Sequence, residues 1–468
     1  MGRMKLVGFF AFAALLLVAI AWLRAPEYDE AYSIFLTAGH ARPAWPQGVF
    51  TPGSVRGLFA GNAGFARIAH DLRAGDVHPP LYFWALKLWR QAVGPSWFAA
   101  RLLSVLFTLG GLGLLARLAS AAAVPVYPAL FLVLLSYGFA YTGIVARGFA
   151  LAQLCNIAGV LLIFLAASNR RGRWALAGGA AFGAACFSNY LALFTACAAL
   201  LWLLFTRPRL VPAALAGFLP WLPLCGWFFL AQRQSRLGQF AAFSPIRALA
   251  LLAKDSGGAI FGGLPLYAGR LALPVTLVLG ILLLAGVAFV WRRRHAQARL
   301  FALLSLATPC GLFALGVIFG NTPIEIRYLA FSLPWLGLLL APALPRALLA
   351  TMLAVQAAAI AGLALAPATM QPQAAAARAA AAYPGRLVLV PFGNDGVGIP
   401  GPFIASAPDN MRILLLRPAT VPPPGPAVMA MLGIDHESRL VVARMGCAGA
   451  VLLLQPRGQP DQQHECRQ

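Results

Sequence analysis

Apolar runs of roughly 15 to 22 residues recur from residue 5 to residue 366, and nothing else in this chain restricts its fold as strongly, since each run can cross a hydrocarbon core as a helix. Eleven spans are predicted, near 5–23, 97–116, 124–141, 149–167, 174–187, 190–206, 210–230, 271–291, 300–320, 328–344 and 347–366. Composition agrees: 60% of the 468 residues are hydrophobic and 10% charged, where a soluble globule carries about 25% charged residues. The expected class is therefore an all-α polytopic membrane protein.

The formal net charge of +23 invites a nucleic-acid reading. The basic residues are instead scattered through short loops between apolar runs, which excludes nucleic acid as a partner and points to the lipid bilayer. With Arg3 and Lys5 inside, Arg117, then Arg170, Arg171 and Arg173, then Arg207 and Arg209, then Arg292, Arg293, Arg294 and Arg299, and finally Arg346 all fall on the cytoplasmic side. This holds only if residues 80–93, short and carrying Lys87 and Arg90, lie in the interface without crossing. All seven acids of the membrane portion (Glu27, Asp29, Glu30, Asp71, Asp76, Asp255 and Glu325) then face the exterior. The first segment could instead be a signal peptide, with Ala19-Ile20-Ala21 as its cleavage site, but cleavage would leave the following acids near a free end.

Three regions follow. A transmembrane domain spans 1–366, with a large first exterior loop at 24–96 that holds interfacial helices, and hydropathy falls after Pro367. Residues 367–468 alternate short strands (386–392, 411–416, 440–444 and 450–454) with Pro and Gly turns such as Val421-Pro422-Pro423-Pro424-Gly425-Pro426, predicting a small exterior α/β domain. Five of the seven cysteines fall in spans and act as small apolar residues; Cys447 and Cys466, in the tail, could pair, which spacing alone does not decide.

Asp29-Glu30, directly after the first span of a chain with only 13 acids, is the leading catalytic candidate. A carboxylate at the mouth of a dry cavity can take the proton of an attacking hydroxyl, and partial desolvation raises its basicity. Because neighbours on a helix point in different directions, one acid would be the base and the other a ligand for sugar, metal or backbone. The plainer role is capping of a helix that starts near Ala31. His78-Pro79-Pro80-Leu81-Tyr82, preceded by Asp76, is the second signal: the prolines fix the chain at a helix entrance and hold Asp76 and His78 where they can meet sugar or phosphate. Arg147, exterior and against the general bias, and Arg327, beside Glu325 and Tyr328, are the expected phosphate ligands through paired guanidinium hydrogen bonds. The alternatives are contact with lipid headgroups for Arg147 and pairing with Glu325 for Arg327. Arg101, Arg233, Arg236, Arg247 and Lys254 are weaker candidates of the same kind. Gly393-Asn394-Asp395-Gly396-Val397-Gly398 reads as a turn, and the six histidines have no metal-ligand spacing. A divalent ion at Asp29 and Glu30 is compatible with hard carboxylates but is not required, so no cofactor is expected.

Taken in order, Asp29-Glu30, the HPPLY segment, Arg101 with Ser104, Arg147, Leu219-Pro220-Trp221 and Arg327-Tyr328-Leu329 resemble the GT-C-fold membrane glycosyltransferases that use polyprenyl-phosphate sugars, in the bacterial branch that includes protein O-mannosyltransferases and aminoarabinose transferases. The resemblance covers residues 6 to about 345. It implies a GT-C-like bundle in a bacterial inner membrane with a periplasmic site, and inverting transfer of a monosaccharide from a polyprenyl-phosphate donor to an envelope glycan, lipid or protein acceptor. By position it implies Asp29 as base with Glu30 beside it, and Asp76, His78, Tyr82, Arg147, Asn189, Tyr190, Arg327 and Tyr328 as substrate-binding residues. The chain departs from the family pattern where Phe149 replaces a Tyr, Val145 an acid and Asn189 a His, which leaves the donor sugar open. A lipid-linked-sugar flippase and a noncatalytic envelope scaffold are the competing readings.

Overall fold

The computed structural model describes residues 3–236, 240–262, 271–292, 297–365, 372–393, 395–417, 427–430, 451–454 and 462–464. The chain forms two compact units: Met1–Ala21, Ala69–Tyr82 and Arg101–Leu363 in the first, and Trp22–Ile68, Phe83–Ala100 and Ala364–Gln468 in the second. This division differs from the boundary expected at 366. Pieces of the loop at 24–96 pack with the tail as one body, because their apolar faces bury against it.

The eleven expected spans fall on helical segments, and those at 124–141, 210–230 and 328–344 fall on broken ones. Among the described residues, six helices are long and apolar enough to cross a membrane: α1 (Arg3–Leu23), α5 (Trp97–Ala121), α8 (Phe149–Asn169), a kinked pair α11 (Val211–Phe218) and α12 (Leu222–Ala231), α15 (Ala298–Phe319) and α17 (Arg346–Leu365). A seventh is the pair α6 (Val126–Leu134) and α7 (Tyr137–Ile144), bent by 67°. Shorter apolar helices lie at α10 (Ala192–Thr206), α14 (Ala272–Arg292) and Ile326–Leu340, whose last turns form α16 (Leu333–Leu340). This unit also holds α9 (Gly172–Cys186) and α13 (Pro245–Phe261).

The first unit packs through small residues, as helices must where lipid gives no hydrophobic drive. On α9, a Cβ at Gly179 would lie 1.8 Å from the carbonyl oxygen of Ala214 on α11, so the two backbones touch where no side chain fits.

The second unit holds α2 (Tyr28–Ala38), much of α4 (Leu81–Val93), and a sheet of β1 (Leu387–Pro391), β2 (Arg412–Leu416), β3 (Ala427–Ala430), β4 (Val451–Leu454) and β5 (Gln462–His464) in the order β2-β1-β3-β4-β5. The first four strands run parallel and β5 antiparallel, with Leu387 opposite both Arg412 and Ala427. Helices α18 (Pro372–Ala381) and α19 (Pro400–Ser406) complete the α/β domain. The strands expected at 386–392, 411–416 and 450–454 match β1, β2 and β4. That expected at 440–444, the linker at 421–426, Asn394, Arg293, Arg294, Cys447 and Cys466 lie outside the described residues.

α4, at 13 residues, is too short to span. Its cations are used inward. Arg90 is buried, donating to the carbonyls of Ile34 (2.9 Å) and Phe59 (2.5 Å) and to the Thr37 hydroxyl. Burial lowers its pKa to about 10. Lys87 sits 4.8 Å from the centre of the Phe65 ring. Arg90 thus ties off the carbonyl end of α2, which carries the acid pair.

Candidate functional site

The first unit gathers its polar residues where α3 (Phe65–Gly75) gives way to the Pro79-Pro80 entrance of α4. Asp76 folds its carboxylate back on its own chain, accepting from the backbone N–H groups of Val77 (2.6 Å) and His78 (3.0 Å). Arg147 lies in the extended link between α7 and α8. Its Nη2 reaches both Asp76 oxygens, at 3.3 and 3.1 Å, and both side chains are buried. The link is held by Gly148, where a Cβ would meet the carbonyl oxygen of Ser188 at 2.6 Å, and by Ser188 Oγ donating to the carbonyl of Gly148 at 2.9 Å.

Burial opposes ionisation of Asp76, yet the Arg147 guanidinium, the His78 imidazole and the Val77 N–H outweigh it and hold the carboxyl well below the usual carboxylate range. His78 moves the other way for its charged form: burial, then the positive charges of Arg147 and Arg236, lower its pKa in spite of Asp76, so the imidazole is neutral at pH 7.

Those charge states fix the tautomer. Nδ1 of His78 is 2.8 Å from Asp76 Oδ1, and an ionised carboxylate can only accept, so Nδ1 carries the proton. Arg147 Nη2 also approaches Nδ1, at 3.0 Å, but a guanidinium only donates and its hydrogen goes to Asp76. Nε2 is left with the lone pair. A lone pair on a neutral imidazole accepts from a hydroxyl and repels a phosphate oxygen.

The Phe149 ring links this cluster to Arg327. Its centre is 6.5 Å from that of His78 and 6.4 Å from that of Tyr328, whose ring lies under Arg327. Arg327 Nε is 2.5 Å from Glu325, so both expected phosphate-binding arginines have a carboxylate partner. Asn189 is buried and accepts from the Leu191 N–H at 3.1 Å, closing the turn before α10. Tyr190 Oη donates to Gln232 at 3.0 Å.

Tyr82, another of the expected substrate ligands, lies beneath this cluster. It is fully buried, and its hydroxyl lies 3.1 Å from Ser104 Oγ, which in turn donates to the Val145 carbonyl two residues before Arg147. Its ring is a strut under the site. Arg101, likewise buried, donates to the Ala21 carbonyl at 2.9 Å.

Gln232 is the residue that sequence reasoning missed. Its buried amide donates to the carbonyls of Leu72 (3.1 Å) and His78 (2.7 Å) and accepts from Tyr190 and from Arg236 Nη2 (3.0 Å). The only signal was one amide at the end of an apolar span. Gln232→Leu orphans two buried carbonyls and removes an acceptor from Tyr190 and Arg236, so a loss of about 1–3 kcal/mol is expected. Thermal unfolding in detergent measures it, and Gln232→Glu, which keeps only the acceptors, should recover part.

In the second unit, Asp29 and Glu30 occupy the first turn of α2, and both are buried. Glu27 holds the N-cap position but makes no side-chain cap; its carboxylate pairs with Arg24. At 8% exposure against 1%, Asp29 is the more accessible acid. Among the described residues, no group of three His, Cys, Asp or Glu side chains is disposed to hold a metal ion.

Residues 77–254 match the family model described as dolichyl-phosphate-mannose-protein mannosyltransferase, a stretch that contains His78, Arg147, Asn189, Tyr190 and Gln232. The structure is similar to that of ArnT from Cupriavidus metallidurans in the apo state, with TM-score 0.50 and 15% identity over 90% of this chain and 87% of that one. The same protein bound to undecaprenyl phosphate aligns with TM-score 0.50 at 16% identity over the same shares. No curated protein sequence matches the chain. Residues 77–254 thus resemble the mannosyltransferase model, and this multi-pass protein shares its fold with ArnT.

Proposed function

We propose that this protein transfers a monosaccharide, with inversion, from a polyprenyl-phosphate donor to a hydroxyl of an envelope glycan, lipid or protein, on the periplasmic face of a bacterial inner membrane. The observation that carries the reading is the buried Asp76–His78–Arg147 cluster, most of which falls inside the stretch matched by the mannosyltransferase model. The undecaprenyl phosphate bound to ArnT supports a donor of that lipid class.

In this reading Asp29 takes the proton of the acceptor hydroxyl as its oxygen bonds to the anomeric carbon, and the bond from that carbon to the phosphate oxygen breaks on the opposite face. Arg147 and Arg327 offset the charge left on the departing polyprenyl phosphate. His78, neutral, accepts from a sugar hydroxyl. The departing lipid phosphate already supplies the leaving group, so neither a nucleotide nor a cofactor enters.

The test is release of free polyprenyl phosphate from a panel of labelled polyprenyl-phosphate sugars, by purified protein in nanodiscs with a crude envelope fraction as acceptor. Acceptor-dependent release from one donor is expected. Folded protein that releases none, yet moves lipid-linked sugar between liposome leaflets, would make it a flippase.

A further inference from the structure

The C-terminal domain has no role in the chemistry above, yet its side chains close on the helix that carries the acids. Tyr32 Oη donates to Asp395 Oδ2 at 2.9 Å, while the other Asp395 oxygen accepts the Val397 N–H at 3.1 Å and closes the turn that follows β1. Arg42 approaches the same carboxylate at 3.4 Å, and the Tyr28 hydroxyl lies 3.1 Å from that of Tyr32. Burial raises the pKa of Tyr32, so the phenol remains a donor at every physiological pH.

Packing repeats the pattern. A Cβ on Gly398 would sit 2.2 Å from the Tyr28 ring, and one on Gly401 would sit 3.1 Å from Ala31 Cβ and 3.0 Å from the Phe35 ring. Trp45 Nε1 donates to the Gly396 carbonyl at 2.6 Å, and Phe50 and Ile413 exchange backbone hydrogen bonds of 3.0 and 2.8 Å across an antiparallel bridge at the outer edge of β2. Tyr28, Ala31, Tyr32 and Phe35 stand at i, i+3, i+4 and i+7, one face of α2. Asp29 and Glu30 lie about 100° and 200° round the helix from Tyr28. The tail packs against the Tyr28-Ala31-Tyr32-Phe35 face of α2.

We propose that the C-terminal domain is a positioning element for the acid pair: the turn at 395–398 and the start of α19 set the rotation and depth of the first turn of α2. The proposal rests on the reading of Asp29 as base. A shift of about 1 Å at a reacting group can cost 10²-fold in rate, so a clamp on this helix acts on turnover more than on binding. Tyr28, Tyr32 and Trp45 pack against the turn at 395–398.

The experiment uses the full chain in nanodiscs with a releasable labelled donor. Gly398→Ala, which pushes on Tyr28, should lower kcat about tenfold with donor KM changed less than about twofold. Adding Tyr28→Ala should return kcat to that of Tyr28→Ala alone. Asp395→Ala should lower kcat similarly, whereas Asp395→Asn, whose single amide oxygen can still accept from Tyr32 or from Val397, should restore part of it. Hydrogen exchange gives a readout independent of turnover: amides of residues 31–38 should exchange faster in Asp395→Ala than in the wild type. Unchanged kcat and unchanged exchange, in a preparation where Asp29→Asn is inactive, would overturn the positioning role and leave Asp29 as base. An active Asp29→Asn would instead remove the reading on which the proposal rests.

Discussion

Asp29→Asn is expected to lower the release of polyprenyl phosphate by about 10²–10⁴-fold, the usual contribution of a positioned general base. Asn is nearly isosteric and keeps an acceptor oxygen, so α2 should retain its hydrogen bonds and the melting temperature should stay close to the wild-type value. Glu30→Gln separates the two acids. If Asp29 is the base, Glu30→Gln retains measurable turnover and its loss appears chiefly in acceptor KM; if the roles are reversed, the two phenotypes exchange. Near-normal release by Asp29→Asn would remove it from the base role.

Asp76→Ala should be the most damaging substitution for stability. It deprives a buried guanidinium of its carboxylate partner, a change that costs about 3–5 kcal/mol where both groups are desolvated. It also frees the His78 ring to adopt either tautomer, so activity should fall further than unfolding alone explains. Asp76→Asn, which keeps an acceptor for Val77 and Arg147 but loses the charge, should fall between. The pH dependence has a definite sign. The folded pKa of Asp76 lies below its unfolded value of about 3.9, so the pair contributes fully above about pH 4 and its contribution is lost as pH falls toward the folded pKa. Thermal unfolding followed from pH 7 to pH 3 should show the wild type losing stability at the acid end and Asp76→Ala losing less.

Local signals carried much of the architecture. Each apolar run became helical because its length and composition depend on neighbouring residues alone, and the Pro79-Pro80 entrance placed Asp76 and His78 together for the same reason. The Arg147 contact was legible only as an exterior arginine lacking a topological reason; its partner, 71 residues away in sequence, was not. The burial of Tyr82 was not legible, because a motif shows the type of a side chain and not the side on which it is buried. Gln232 was invisible, since an isolated amide at a span end carries no periodicity, and its four partners come from four separate segments. The acid pair was read from its rarity, whereas the brace on its helix, made by residues in a glycine-rich turn, left no pattern of its own.

The hydrogen bond between Tyr32 and Asp395 joins residues 363 positions apart. A ribosome adding about 5–20 residues per second needs roughly 18 to 70 seconds to make the second partner after the first. During that interval α2 is already synthesised with nothing against its Tyr32 face from β1, β2 or the turn at 395–398. Membrane insertion and maturation of the acid helix are therefore separate events in time, and a nascent chain halted before residue 395 would span the bilayer without its acid helix in final register.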